Sequence, residues 1–193
     1  MLTLYFAPGS SSMAPHIALH EIGAPFEPRP LSFHAKETRT PEFLALNPAG
    51  KVPVLLVDGR PITEVLAILT YLARTHPEAD LLPDDPVTEG QVLALMSFIA
   101  STVHPVRRQG LEAARAAYQM LDDMLGASDW AVGGRYSIAD IHMFRLFWRF
   151  RGSLEPGPGD FPNLNRHYDR MMARPAVRKT IEIESGIGYQ LPA

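Results

Sequence analysis

The sequence contains no cysteine among its 193 residues. This absence excludes disulfide bonds, thiolate metal sites and a nucleophilic thiol supplied by the protein itself. Among possible enzymes, a disulfide reductase is therefore the least favoured.

The sequence also has little net charge and no long apolar run. Its 18 basic and 21 acidic residues give a formal net charge of -3, with no basic tail or patch that would favour nucleic-acid binding. No apolar run approaches the roughly 18 residues of a membrane span. Residues 1–6 are too short for a signal-peptide core and lack a basic leader. We therefore expect a cytoplasmic protein whose partners include neither nucleic acid nor a membrane.

The patterns of apolar residues, prolines and turn signals divide the chain into two regions. The first region predicts the order β-α-β-α-β-β-α, with strands at 2–6, 26–31, 52–57 and from 60 onward, and helices at 14–22, 41–46 and 63–76. A proline-rich and acidic linker follows. The second region is helical almost throughout, with helices predicted at 87–103, 111–125, 138–150, 164–173 and 176–183. This predicts an α/β domain at 1–78, a linker at 79–86 and an all-α domain at 87–193.

A cluster of serines follows the first predicted strand. Pro8-Gly9 ends the strand, Ser10, Ser11 and Ser12 come next, and Pro15 suits an early position of the first helix. A helix N-terminus offers unpaired N–H groups and a partial positive charge, so it can bind an anion or stabilise a thiolate. The alternative is structural, with one serine capping the helix and the others in the loop.

Two further features of the helices have structural explanations. His16 and His20 stand four residues apart, a spacing that can bind a metal, but no further ligand is evident. We therefore expect ordinary histidines on the surface of the helix and no metal. Ser137 and Asp140 have the spacing of a capping box at the start of the helix at 138–150, with aspartate in the usual place of glutamate.

Three stretches together resemble a known family. These are Asn-Pro-Ala-Gly-Lys-Val-Pro-Val-Leu at 47–55, Ile-Thr-Glu-Val-Leu-Ala-Ile at 62–68, and the capping box at 137–140 after Gly-Gly-Arg-Tyr. They resemble the cytosolic glutathione transferases, and residues 8–17 are similar to the opening of the bacterial beta class. The resemblance covers nearly the whole chain in the same order and spacing.

The resemblance implies a thioredoxin-like first domain, an all-helical second domain that completes the electrophile site, and a homodimer. Glutathione would be the co-substrate, and no metal would take part. The resemblance also implies roles for the residues that match the family's site: Ser11 at the thiolate, with Ser10 and Ser12 as rivals, and Lys36, Lys51, Val52, Pro53, Glu64, Val65 and His104 at glutathione.

Each end of glutathione has its own expected partners. The backbone of Val52 would pair with the cysteinyl part beside a cis Pro53, and Glu64 and Val65 would hold the γ-glutamyl end near a helix N-terminus. Lys36 would reach the glycyl carboxylate unless it is a solvated loop lysine. Glu64 has a structural alternative, which is a favourable position beside the helix dipole.

The chain departs from the family pattern at several positions. Beta-class proteins carry cysteine where Ser11 aligns, and a serine leaves thiolate stabilisation but no mixed-disulfide chemistry. Val65 replaces the usual serine or glycine and keeps only its backbone N–H. Pro105 stands where the class often has lysine, and His104 is either a glutathione contact or a helix-end histidine packed at the domain interface. The connection at 107–111 is also shorter than usual.

The function implied is a detoxifying glutathione transferase that stabilises the thiolate and adds it to small apolar electrophiles. The alternatives are a specialised glutathione-dependent lyase, dehalogenase or peroxidase, and a non-catalytic module that binds glutathione or a partner. The electrophile itself is not evident from the sequence. Several apolar residues either line its pocket or fill the helical core, and the core is the simpler interpretation: Met96, Phe98, Ile99, Met143, Phe144, Phe147 and Trp148.

Overall fold

The computed structural model describes residues 1–157 and 159–190, which form two compact units. Met1–Ala79 and the described residues from Pro175 onward make up the first unit, and Asp80–Arg174 make up the second. Residues 158 and 191–193 of the predicted helical domain lie outside the described residues. The domain boundaries at 78 and 87 stay a prediction.

The first unit is built on a four-stranded sheet in the order β2-β1-β3-β4. The strands are β1 (Leu2–Phe6), β2 (Phe26–Pro30), β3 (Val54–Val57) and β4 (Arg60–Thr63). Strands β1 and β2 are parallel, and the other two pairings are antiparallel. With helices α1 (Met13–Ile22), α2 (Pro41–Leu46) and α3 (Val65–Thr75), the order β-α-β-α-β-β-α and the thioredoxin-like fold are confirmed.

The sequence explains both the burial of the central strand and the tight turn between the last two. Leu4 and Phe6 of β1 are fully buried, because β1 lies inside the sheet and its apolar side chains pack against neighbouring elements. Asp58 and Gly59 join β3 to β4, and both have positive φ, at 49° and 80°. Asp-Gly suits such a turn because glycine and, at lower cost, aspartate adopt this conformation.

The second unit is helical. It contains α4 (Pro86–Phe98), the short α5 (His104–Val106), α6 (Leu111–Leu125), α7 (Ile138–Phe150) and α8 (Pro162–Met172). The helix predicted at 87–103 is divided, because its last residues, Ile99–Val103, are wound as a π-helix.

Helix α7 has the predicted bounds and is the most buried helix of this unit. Ser137 caps it by accepting a hydrogen bond from the Ala139 N–H at 3.3 Å, and the Asp140 carboxylate accepts one from the Ser137 N–H at 2.8 Å. The predicted capping box is therefore confirmed.

The last helix, α9 (Pro175–Ile187), packs against α1 in the first unit. Its buried face carries Val177, Thr180 and Glu184, spaced so that they lie along one side of a helix. The prediction placed a helix at 176–183 and assigned it to the second domain. No helix within the described ranges has the length and apolar character needed to cross a membrane.

Candidate functional site

The sheet register brings three segments of the first unit to one end of the sheet. Tyr5 of β1 pairs with Val54 of β3, and Val54 pairs with Thr63 of β4. The chain after β1, the chain before β3 and the chain after β4 therefore leave the sheet at the same end. These segments carry the serine cluster, Val52-Pro53 and Glu64-Val65 respectively.

Ser10 and Ser12 are buried and hydrogen-bonded to their own loop. Ser12 Oγ accepts a hydrogen bond from the Ala7 N–H at 3.1 Å, donates to the Ala7 carbonyl at 3.1 Å and lies 2.6 Å from Ser10 Oγ. Ser12 stands at the N-cap position of α1, yet its side chain does not cap the helix. Its hydroxyl instead ties the end of β1 to the start of α1, so Ser12 has a structural role other than a side-chain cap.

Ser11 is half-buried, and its hydroxyl points at the segment before β3. Ser11 Oγ donates a hydrogen bond to the Val52 carbonyl at 3.1 Å. The peptide bond between Val52 and Pro53 is cis, as the resemblance implies. Because α1 begins at Met13, the Ser11 hydroxyl also lies beside a helix N-terminus. Of the three serines, Ser11 is the most exposed.

The position of Val52 is fixed by the packing of its side chain and by a hydrogen bond to the residue before it. Its side chain is buried in a cluster with Ala7, Phe43 and Val54. The side-chain amide of Asn47 donates a hydrogen bond to the carbonyl of the preceding residue, Lys51, at 2.7 Å. Val52 stands before β3, outside the residue pairs of the sheet, so its backbone groups are not part of the ladder.

Glu64 occupies the N-cap position of α3 with an unusual backbone conformation. Its φ is 67° and its ψ is 129°, a region that glycine adopts readily and other residues rarely. Its exposed side chain makes no capping hydrogen bond. Strained residues of this kind cluster at functional sites. Val65 follows as the first residue of α3 and is half-buried.

The predicted lysines lie on exposed loops of the same unit. Lys36 belongs to the loop after β2, and its φ is 56°. Lys51 follows the turn at 47–50. A third cation, not predicted from the sequence, belongs to the same region: Arg39 donates a hydrogen bond at 3.4 Å to the carbonyl of Ala49, two residues before Lys51. Nothing in the local sequence distinguishes Arg39 from a solvated arginine.

His104 belongs to the second unit, where it begins α5. The residue is half-buried, and its ring centroid lies 6.4 Å from that of Phe150. His142 of α7 is buried. Its burial, followed by the charges of Arg145 and His104, lowers the pKa of His142 from 6.5 to about 3. His142 is therefore neutral at physiological pH.

The second unit also contains an apolar cavity of about 480 Å³. It is lined by α4, α6, residues 131–133 and Met143. Phe98 and Met143, both suggested above as pocket residues, line it. Met96, Ile99, Phe144 and Phe147 are almost completely buried, so the interpretation of most of that set as core residues is confirmed.

The expectation for His16 was wrong. Its side chain is 1% exposed, and Nδ1 lies 2.8 Å from a carboxylate oxygen of Glu184. The partner comes from the distant α9, so the local helical pattern could not reveal it. In the part of the chain that the structure describes, no group of three or more His, Cys, Asp or Glu side chains is placed to hold a metal ion.

Comparison with protein families gives two matches that together span most of the chain. Residues 1–74 match the family model described as glutathione S-transferase, N-terminal domain, and residues 87–175 match the one described as glutathione S-transferase, C-terminal domain.

Individual relatives carry two kinds of name. Glutathione S-transferase GstA of Escherichia coli O157:H7 is 28% identical over 95% of this chain and 98% of its own length. Maleylacetoacetate isomerase of Rhizobium meliloti is 42% identical, over 54% of this chain and 49% of its own length.

Solved structures match over nearly the full length. A sphingomonad glutathione S-transferase complexed with glutathione has a TM-score of 0.87 and 30% identity, over 95% of this chain and 98% of its own. The bacterial beta-class glutathione S-transferase of Sphingomonas chungbukensis has a TM-score of 0.83 and 32% identity, over 94% and 98%.

Proposed function

The chain belongs to the glutathione S-transferase family, and we propose that it binds glutathione at the end of the sheet where Ser11, Val52 and Glu64 lie, and adds the thiolate to small apolar electrophiles. The observation that carries this proposal is the hydrogen bond from the Ser11 hydroxyl to the Val52 carbonyl at 3.1 Å. It places a hydroxyl donor beside the segment that would hold the cysteinyl part of glutathione.

The γ-glutamyl end of glutathione suits the start of α3. Its α-carboxylate would face the N–H groups at the helix N-terminus, which carry a partial positive charge. Its α-ammonium would pair with the exposed carboxylate of Glu64. The helix begins at Val65, whose backbone N–H is available whatever its side chain, so the loss of the usual hydroxyl at this position is tolerable.

The thiol would lie against Ser11. The hydroxyl has a single proton, so it can donate either to the Val52 carbonyl or to a thiolate, and binding would redirect it. A hydrogen bond to a charged acceptor contributes about 1.5–3 kcal/mol and a neutral one about 0.5–1.5 kcal/mol. The net gain is therefore about 1–1.5 kcal/mol, which corresponds to a decrease of about one unit in the thiol pKa.

The N-terminus of α1 would add to this effect. A helix dipole stabilises a nearby anion by about 0.3–1 kcal/mol, or up to about 0.7 of a pKa unit. Together, Ser11 and α1 would lower the thiol pKa by between one and two units from its ordinary value of about 8.5. The thiolate would then be well populated at neutral pH and able to attack an electrophilic carbon without further covalent help from the protein.

The remaining predicted contacts belong to the same proposal. Lys36, Lys51 and the newly identified Arg39 are exposed cations that suit the glycyl carboxylate. The contact of His104 with glutathione, the contribution of the helical unit to the electrophile site and the homodimer remain predictions from the resemblance. The cytoplasmic location remains a prediction from the composition of the chain.

A second candidate is a glutathione-dependent isomerase. The observation that favours it is the 42% identity to a protein named maleylacetoacetate isomerase. The thiolate would add to one carbon of a cis double bond conjugated to a carbonyl, and the electron pair would move onto the carbonyl oxygen. Rotation about the resulting single bond and expulsion of the thiolate would give the trans product and return glutathione unchanged.

One experiment separates these functions. The protein is incubated with glutathione and either an activated aryl chloride or a maleyl-substituted keto acid, while free thiol and product are both measured. A transferase consumes one glutathione for each product formed from the aryl chloride. An isomerase converts the keto acid with no loss of thiol. Binding of glutathione with neither reaction and an unshifted thiol pKa would support the non-catalytic module.

A further inference from the structure

A buried carboxylate in the first unit has no part in the reaction proposed above. Glu184 lies on α9 and is fully buried, as is its neighbour His16 of α1. The Gly9 N–H donates a hydrogen bond to Glu184 Oε2 at 2.6 Å, and His16 Nδ1 lies 2.8 Å from Oε1. Both oxygens therefore bind residues that flank Ser11 in the chain.

The burial of this carboxylate is expensive, which is why its position carries information. A carboxyl group removed from water is stable only when hydrogen bonds compensate for the lost hydration. An apolar side chain at this helix position would pack against α1 without that cost. A carboxylate there gains only through what it binds, namely Gly9 and His16.

Gly9 is the residue through which the carboxylate acts on the serine loop. Its φ is 72°, and the Ser10 N–H donates to the Ala7 carbonyl at 3.0 Å to close the turn. Ser11 follows this turn directly. A shift of the Gly9 amide would therefore move the Ser11 hydroxyl relative to Val52.

Gln190, which follows the end of α9, binds the loop after β2. The side-chain oxygen of Gln190 accepts hydrogen bonds from the Ser32 hydroxyl at 2.7 Å and from the His34 N–H at 3.2 Å. This loop carries Lys36. Glu184 and Gln190 thus bind two of the loops to which the proposed function assigns glutathione contacts, the serine loop and the loop of Lys36.

We propose that Glu184 is a positioning residue, which holds Gly9 and His16 so that the Ser11 hydroxyl is fixed toward the thiolate, and that Gln190 fixes the loop of Lys36 in the same way. The effect of these residues on catalysis rests on the proposed function. The hydrogen bond between Gly9 and Glu184 can be tested even if the proposed function is wrong.

The first test uses the wild-type protein without glutathione. The amide proton of Gly9 should exchange slowly with solvent, like the interior amides of α1, and should resonate downfield as expected for a hydrogen bond to a carboxylate. Exchange as fast as that of an exposed loop amide would overturn the proposal. This test does not depend on any variant folding or on any activity.

The second test compares Glu184→Gln with Glu182→Gln. Glu182 is exposed on the same helix, so it provides a control with the same chemical change. In Glu184→Gln, the Gly9 amide resonance should move upfield. Its kcat should fall about tenfold, as expected when the carboxyl oxygens that bind Gly9 and His16 are replaced by an amide, with the KM for glutathione within about twofold of wild type. Glu182→Gln should match the wild type in all three measurements. Equal Gly9 resonances and kcat values in the two variants would refute the role of Glu184.

The third test uses Gln190→Ala. This variant should raise the KM for glutathione about threefold, as expected from the loss of two neutral hydrogen bonds to a partly exposed loop, while leaving the pKa of the bound thiol unchanged. A change in thiol pKa without a change in KM would contradict the assignment. If the wild type itself does not lower the thiol pKa, the proposed function fails, and the Gly9 amide still decides whether Glu184 anchors the loop.

Discussion

Replacement of Ser12 by alanine should destabilise the fold by about 2–3 kcal/mol, whereas replacement of Ser11 should cost less than about 1 kcal/mol. Ser12 is fully buried, and its hydroxyl meets the Ala7 N–H, the Ala7 carbonyl and Ser10 Oγ. Its loss leaves a buried N–H without an acceptor, which by itself costs about 1–3 kcal/mol, and removes a hydrogen bond from the carbonyl as well.

The Ser11 hydroxyl makes one hydrogen bond, to the Val52 carbonyl, and is half-buried. Because water can replace this hydroxyl at a partly exposed carbonyl, Ser11→Ala should lose only the net value of one neutral hydrogen bond, about 0.5–1 kcal/mol. The two adjacent serines are thus expected to have different roles: Ser12 stabilises the fold, and Ser11 stabilises the thiolate.

Urea unfolding of the wild type, Ser11→Ala and Ser12→Ala measures this difference. The free energies of unfolding are comparable provided that the dependence on urea is the same for all three proteins. Ser12→Ala should unfold at a clearly lower urea concentration than Ser11→Ala. The reasoning is refuted if Ser12→Ala is as stable as the wild type, or if Ser11→Ala is the less stable of the two.

Three further predictions concern Glu64, His142 and Asp140. Because φ of Glu64 is 67°, Glu64→Gly should raise the free energy of unfolding by about 1 kcal/mol yet weaken glutathione binding, while Glu64→Gln should weaken binding with no gain in stability. Calorimetric binding and urea unfolding test this, and unchanged binding in both variants would exclude Glu64 from the site. Burial lowers the pKa of His142 from 6.5 to about 3. Between these two pH values, His142 is therefore protonated in the unfolded chain and neutral in the folded chain. Stability should therefore fall as the pH drops from 6.5 toward 3, by at most about 1.4 kcal/mol per pH unit from this residue, and an equally steep fall in His142→Gln would contradict the assignment. Asp140 is fully buried and accepts hydrogen bonds at 2.8 Å from the N–H groups of Ala131 and Ser137. Because a buried N–H group left without its acceptor costs about 1–3 kcal/mol, Asp140→Ala should lower the free energy of unfolding by about 2–4 kcal/mol. A loss below about 1 kcal/mol in urea unfolding would show that these bonds contribute little.

The parts of the structure that follow from local patterns could be predicted from the sequence. The strand and helix order of the first unit, the bounds of α7 and its capping box all depend on periodicity and on the residues at helix starts. These signals are local because each element forms from neighbouring residues. The position of Ser11 next to Val52 came from the family resemblance, since no local pattern relates residues so far apart in the chain.

The parts that depend on contacts between distant residues could not be predicted. His16 has the helical spacing of a surface histidine, and only the packing of α9 buries it against Glu184. Glu184 itself stands in a polar stretch of the sequence, where a carboxylate is ordinarily solvated. Ser12 stands at the N-cap position of α1, but its hydroxyl makes hydrogen bonds with the backbone of Ala7, just after β1, and does not cap the helix.

The most direct test of the central claim is a titration of the bound glutathione thiol. The ultraviolet absorbance of the thiolate is followed against pH with the wild type, Ser11→Ala and, as a control for the loop, Ser10→Ala. We predict a pKa between one and two units below the ordinary value of about 8.5 in the wild type, and a rise of about one unit in Ser11→Ala. A wild-type pKa near the ordinary value, or one that is equally low in Ser11→Ala, would contradict the proposal that Ser11 stabilises the thiolate.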